Sequence, residues 1–202
     1  MKRRNFIGLS LGAVPVVMLG QDSISTTPPA SGTRTPVHVP TDVDRFKEPR
    51  VIADRSVIDR KVASIDTAGQ LLVIENHAQG PFGPPRHVHH DQDEWFHVIS
   101  GVVVLEVGEQ KYRLMPGDSV LAPRGIPHVW AQVAPEGGRL LIAFQPAGNM
   151  EAFFAELGKF GNFPPPPQAR ELFERHGMSI VGPPLSIING PKPSPNGTSE
   201  NK

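Results

Sequence analysis

Three histidines and one glutamate fall in two short stretches, at spacings that let one metal ion hold all four. His87-Val88-His89 is followed by Glu94, and Gly101 closes that stretch. The second stretch runs Gly117-Asp118-Ser119-Val120-Leu121-Ala122-Pro123-Arg124-Gly125-Ile126-Pro127-His128. Three neutral imidazoles and a carboxylate suit one divalent transition metal, whether Fe, Mn, Ni, Cu or Zn, and affinity order alone does not choose among them. There is no cysteine, which excludes disulfides, thiolate ligands and a cysteine nucleophile.

The elements that must position these side chains read as strands and tight turns. Leu71 to Ile74 is one β pattern; Glu94 to Ser100 and Val102 to Val107 are two more, parted by Gly101. Gly108-Glu109 turns the chain into Gln110 to Met115, and Pro116-Gly117-Asp118 turns it into Ser119 to Ala122. Val129 to Val133 and Arg139 to Gln145 complete the series. Strands at this spacing with no helix between them indicate a sandwich or barrel rather than βαβ units. Helical pattern begins after Asn149, a candidate N-cap, with Phe153, Phe154, Leu157 and Phe160 on one face. A second helical segment, Gln168 to His176, stops at Gly177.

Strand parity then sorts the candidates. Side chains alternate faces, so His87 and His89 point one way while Val88 and His90 point the other. Glu94 shares a face with Phe96 and Val98, opposite Trp95, His97 and Ile99; His128, Trp130 and Gln132 share another. An unpaired carboxylate on an apolar inner face costs several kcal/mol. A divalent cation removes that cost, and structural metal sites in small domains return on the order of 10 kcal/mol. The alternative is a metal-free hydrogen-bonded network of the same side chains. His90 and His97 fall on the outer face, His38 lies in a linker, and His77 follows a strand without a partner at ligand spacing. His176 sits at a helix C-terminus, where positive charge is favourable. Asp91 and Asp93 flank Glu94 as solvated turn residues.

Both stretches resemble the two signature motifs of the cupin superfamily. His87, His89, Glu94 and Gly101 match the first, whose leading Gly80 is displaced by one position; Gly117, Pro123, Gly125 and His128 match the second without gaps. Gln132 stands where the family usually has Asn, a departure that bears on a contact behind the site. The match extends over roughly Val62 to Pro146, and the Phe-rich helix with Gly182-Pro183-Pro184-Leu185 resembles the small quercetin-dioxygenase-like single-domain cupins. The resemblance implies an all-β fold, a double-stranded β-helix or jelly-roll barrel with short C-terminal helices. It also implies a metal on His87, His89, Glu94 and His128, and an oxygen-dependent dioxygenase acting on an enol or phenol. Glu94 would then be the catalytic proton acceptor. Phe96, Met115, Trp130, Gln132 and Phe144 are the candidate pocket residues, though each is equally well explained as core. Two other classes stay open: an oxygen-independent metal-dependent isomerase or decarboxylase, and a non-catalytic small-molecule-binding barrel.

Composition bounds the partners and the ends of the chain. Lys+Arg and Asp+Glu balance at 20 each, and no basic cluster occurs beyond the first four residues, which argues against a nucleic-acid partner. A small-molecule substrate, with dioxygen for a dioxygenase, is the expected partner, and cupin barrels often pair as homodimers through a sheet edge. Lys2-Arg3-Arg4-Asn5-Phe6-Ile7 precedes a weakly apolar run too short for a comfortable membrane span, which indicates no integral membrane domain. That opening resembles the bacterial twin-arginine export signal, with an ordinary signal peptide or uncleaved anchor as alternatives, and places the protein in the periplasm or outside the cell. The expected organisation is an export signal over 1–25, a disordered linker over 26–50 and the barrel over 51–148. A helical segment packing on the barrel over 149–188 and a disordered tail over 189–202 complete it.

Overall fold

Alternating apolar and polar positions become paired antiparallel strands in the computed structural model, which describes residues 35–52 and 55–186. The expected export signal over 1–25, the start of the linker and the tail over 189–202 lie outside the described residues. In chain order the strands are β1 (Arg50–Ile52), β2 (Ser56–Val62), β3 (Leu72–Ala78), β4 (His87–His89), β5 (Asp93–Ser100) and β6 (Val103–Val107). They continue as β7 (Gln110–Leu114), β8 (Ser119–Ala122), β9 (His128–Gln132) and β10 (Gly138–Gln145). Helices α1 (Met150–Leu157) and α2 (Pro166–Arg175) follow, and β11 (Met178–Ile180) comes last. One sheet runs β1-β2-β3-β10-β5-β8 and the other β11-β4-β9-β6-β7. Their inner faces meet as a jelly roll, the all-β barrel expected.

Register explains what faces inward. β10 pairs with β3 through Ile142↔Ile74 and with β5 through Ile142↔Phe96, so the inward side chains of neighbouring strands stack in rows. Phe96, Val98, Ile74, Leu105, Leu140 and Phe144 are fully buried there. The outward row of β5 holds Trp95 and His97, whose rings stack 5.6 Å apart.

Expectations are corrected at both ends of the barrel. The linker does not stay disordered to residue 50, because Asp44 is buried beneath it. Its carboxylate accepts hydrogen bonds from the backbone N–H of Phe46 (2.9 Å), Glu48 (3.0 Å) and Arg60 (2.8 Å), and from the Arg60 guanidinium. One acidic side chain thus orders a strap that is otherwise poor in apolar residues. Burial alone would raise the Asp44 carboxyl; the bonds from Arg60 and the backbone outweigh it and hold it well below the usual carboxylate range.

The helices pack on the barrel as a cap over its cavity. Met150, Phe153 and Leu157 form the buried stripe of α1, whereas Phe160 is exposed because the chain tightens into a 3₁₀ turn over Gly158–Phe160. Glu151, in the first turn of α1, accepts from the backbone N–H (2.6 Å) and hydroxyl (2.8 Å) of Ser64 and fastens the cap to the barrel. α2 begins at Pro166, two residues before the expected start, with proline at the position helices best tolerate it. No helix among the described residues is long and apolar enough to cross a membrane.

Candidate metal centre

Strand pairing brings the four candidate ligands together from both sheets. His87 and His89 lie on β4, and His87 is directly paired with His128 on β9. Glu94 comes from the opposite sheet, on β5 between Ala122 and Phe144. All four are buried, and their ligand atoms lie within 4.8 Å of one another. The imidazole centroids are 4.6 Å apart for His87 and His128, 5.2 Å for His87 and His89, and 5.6 Å for His89 and His128.

Each ring is turned by an acceptor behind it. His87 Nδ1–H donates to the Pro85 carbonyl (2.8 Å), His128 Nδ1–H to the Ile126 carbonyl (3.2 Å), and His89 Nδ1–H faces the Gln92 Oε1 at 3.4 Å. A carbonyl only accepts, so these contacts place the ring proton on Nδ1 and aim the Nε2 lone pair at the centre. Glu94 Oε2 nevertheless lies 2.7 Å from His128 Nε2 and 3.1 Å from His89 Nε2. Lone pairs that close repel unless a proton or a cation lies between them. Three imidazoles presenting Nε2 and one carboxylate therefore fit a divalent transition metal both by donor chemistry and by electrostatics.

The protonation tendencies agree. Burial pushes His87 down to about 3, reinforced by His128 and His89 and opposed by Glu94, so this imidazole is neutral and free to ligate. Burial would raise Glu94; positive charge at the Nε2 side of His128 and His89, which a proton supplies without a metal and a bound cation would supply with one, outweighs it and holds it below the usual carboxylate range.

The C-terminal strand braces the site from outside. β11 pairs with β4 through Met178↔His89 and Ile180↔His87, so the short ligand strand is not a free edge. His90 lies outside as expected, its Nε2 bonded to the Ser179 hydroxyl at 2.9 Å. His97 is likewise on the outer face. Asp93 stays partly exposed but lies in a strand, not a turn: it opens β5 and takes three hydrogen bonds from Arg124 across to the loop after β8.

Residues 73–144 match the family profile described as Cupin domain. Over those residues the barrel is similar to a cupin domain. Its fold is similar to that of KdgF from Halomonas sp., at 18% identity over 52% of this chain and 90% of that one, TM-score 0.45. It is also similar to a predicted oxalate decarboxylase from Thermotoga maritima, at 12% identity over 55% of this chain and 99% of that one, TM-score 0.47. The polyketide cyclase RemF from Streptomyces resistomycificus is 20% identical over 55% of this chain and 78% of that one, TM-score 0.45. No curated protein matches the sequence.

Next to the ligands the barrel holds a cavity of about 60 Å³, bounded by His87, His89 and Glu94 and by the aromatic cap. Phe144 and Trp130 line it, together with Phe153, Phe154, Phe163 and Phe173 from the cap. The other three pocket candidates are placed elsewhere. Phe96 is wholly buried core against His128, at 6.0 Å between centroids. Met115 is half-exposed, on the turn after β7, where its backbone N–H donates to Asp118. Gln132 is a fastener away from the cavity, its Oε1 accepting from the N–H of Val102 (2.9 Å), Val133 (3.1 Å) and Ala134 (3.3 Å). That amide occupies the space a Cβ on Gly101 would need, 2.5 Å away, and Gly101 adopts φ +82, so the motif glycine and Gln132 are one packing unit.

Two site residues escaped the sequence reading. Gln92, buried behind His89, fills the space a Cβ on Gly148 would need (2.1 Å), joining that ligand to the start of the cap. Asn76 projects into the cavity from β3. Its parity with Leu72 and Ile74 would have placed it inward, had the strand been extended past Ile74.

Proposed function

We propose that His87, His89, Glu94 and His128 hold one divalent transition metal, and that the protein is a dioxygenase acting on a compact enol or phenol. The observation that carries this is the character of the cavity beside the ligands. It is walled by aromatic and aliphatic side chains, and no arginine or lysine is among the described residues lining it. Sugar phosphates and dicarboxylates need cationic or multiple polar partners once desolvated. An enol or phenol needs a neutral, apolar wall and one anchoring charge, and dioxygen is itself apolar. The oxygen-independent isomerase or decarboxylase alternative lacks that support.

The size of the space favours small substrates. A water needs about 10–15 Å³ of such volume, so 60 Å³ corresponds to a few waters and a flavonol exceeds it several-fold. A compact ring or diketone is admitted as the half-buried Phe154 and Phe163 turn aside.

A transition metal held here supplies Lewis acidity and, if redox-active, electron exchange with dioxygen. The imidazoles, oriented from behind, would hold that ion through Nε2. Glu94 accepts the proton that an enol or phenol releases on binding. Its surroundings keep the carboxylate ionised, the form that can accept a proton. The aromatic cap excludes water from the reacting pair.

Oxygen uptake by metal-loaded protein over a panel of compact 1,3-diketones, phenols and flavonols tests the proposal. Consumption of dioxygen in step with a small enolisable compound is expected. Turnover of any such compound under strict anaerobiosis would overturn it, and recovery of a tightly bound compound unchanged after long aerobic incubation would point to a binding barrel instead.

A further inference from the structure

The inner face of the β2-β3-β10 region is hydrocarbon apart from one amide and the hydroxyl that holds it. Ile58, Ile74, Leu140 and Ile142 are buried around Asn76, itself only 3% exposed. Among the described residues lining the cavity, Asn76 is the one polar side chain that is not a candidate ligand. Its Nδ2 donates to the Ser56 hydroxyl at 2.6 Å, and Ser56 is buried too. An amide carries two donors and two acceptor sites. The Ser56 bond uses one donor and fixes the plane of the group, leaving the rest for an occupant of the cavity. A buried amide that serves only the fold is an expensive substitute for leucine, which would fill the same row without a desolvation cost.

We propose that Asn76 is the specificity residue of the cavity, binding a second oxygen, hydroxyl or carbonyl, on a substrate whose first oxygen faces His87, His89 and Glu94. This rests on the enol or phenol function proposed above and narrows its substrate class to compact molecules with two separated oxygens. Ser56 acts as a positioning residue by holding the amide. Strand register keeps the two polar ends apart, Asn76 level with Leu140 and Glu94 level with Phe144, so together they orient a small molecule in one sense, and a molecule with a single oxygen loses the second contact.

Phenol and resorcinol separate the two cases, because the meta hydroxyl of resorcinol is too far round the ring to share one ion with the first. Calorimetric binding of both to metal-loaded protein without oxygen should favour resorcinol about tenfold. Asn76→Leu should abolish that preference while metal content and phenol affinity stay as in the parent. Ser56→Ala retains the amide and serves if the leucine variant misfolds; loosening the amide should cut the preference to about threefold. Equal binding of the two phenols by the parent, an undiminished preference in either variant, or failure of both probes to bind overturns the assignment. No step consumes oxygen, so a protein that shows the preference yet takes up no oxygen refutes only the dioxygenase function.

Discussion

At the residue scale, the site is held by what stands behind its ligands as much as by the ligands. Pro85 and Ile126 turn His87 and His128 with main-chain carbonyls, which no substitution at those positions removes, whereas His89 depends on the side chain of Gln92. Gly148 adopts φ +53 against that glutamine, and a Cβ there would lie 2.1 Å from its Nε2. Gly148→Ala should therefore displace Gln92, destabilise the fold by about 1–3 kcal/mol and weaken metal binding. Denaturant unfolding and metal titration check both effects, and an unchanged metal affinity would show that His89 needs no such support. His97→Ala should leave metal content nearly intact by elemental analysis, because His97 stacks on Trp95 outside the barrel. The ligands were legible in the sequence because each carries its own signal of residue type, spacing and parity. Asn76 and Gln92 carry none beyond an amide in an apolar neighbourhood, and Met115 misled because an apolar type in a β pattern says nothing about the turn that turns it out to solvent.

At the scale of elements, the strands from β5 to β10 were legible to within a residue or two, because glycine and proline turns bracket them and their inner faces are apolar. β2 was not: Asp59, Arg60 and Lys61 break its apolar pattern, since its outer face lies under the strap and not in water. β11 was hidden by its brevity, yet it closes the edge of β4 on which two ligands sit. Met178→Ala removes a buried side chain of β11 that also lines the cavity; a loss of about 2–4 kcal/mol with weaker metal retention is expected from denaturant titration and dialysis. The cap governs what enters. Phe154→Ala should open the space beside Phe144 and improve flavonol binding at least tenfold by calorimetry, whereas unchanged affinity would show that the cap does not set the size limit.

Over the whole molecule, the barrel and the strap that binds it respond differently to acid. Asp44 has a folded-state proton affinity below its unfolded value of 3.8, so its contribution to stability is complete above that pH and lost progressively as pH falls from there toward the lower folded value. Asp44→Asn should flatten the fall in unfolding free energy below about pH 4, and should also lower stability at pH 7, because the half-buried Arg60 loses its counter-charge. Equal acid sensitivity in parent and variant would show that the strap does not depend on this ion pair. Protons also compete with a metal for three imidazoles and a carboxylate, so acid should release the ion along with its stabilisation.

Metal stoichiometry tests the central claim most directly. Protein purified without chelators should contain about one divalent transition-metal ion per chain by elemental analysis, and His128→Ala, which removes the ligand joining β9 to β4 and Glu94, should contain far less. Full occupancy in His128→Ala, or a parent protein that takes up no metal at neutral pH, would contradict the account.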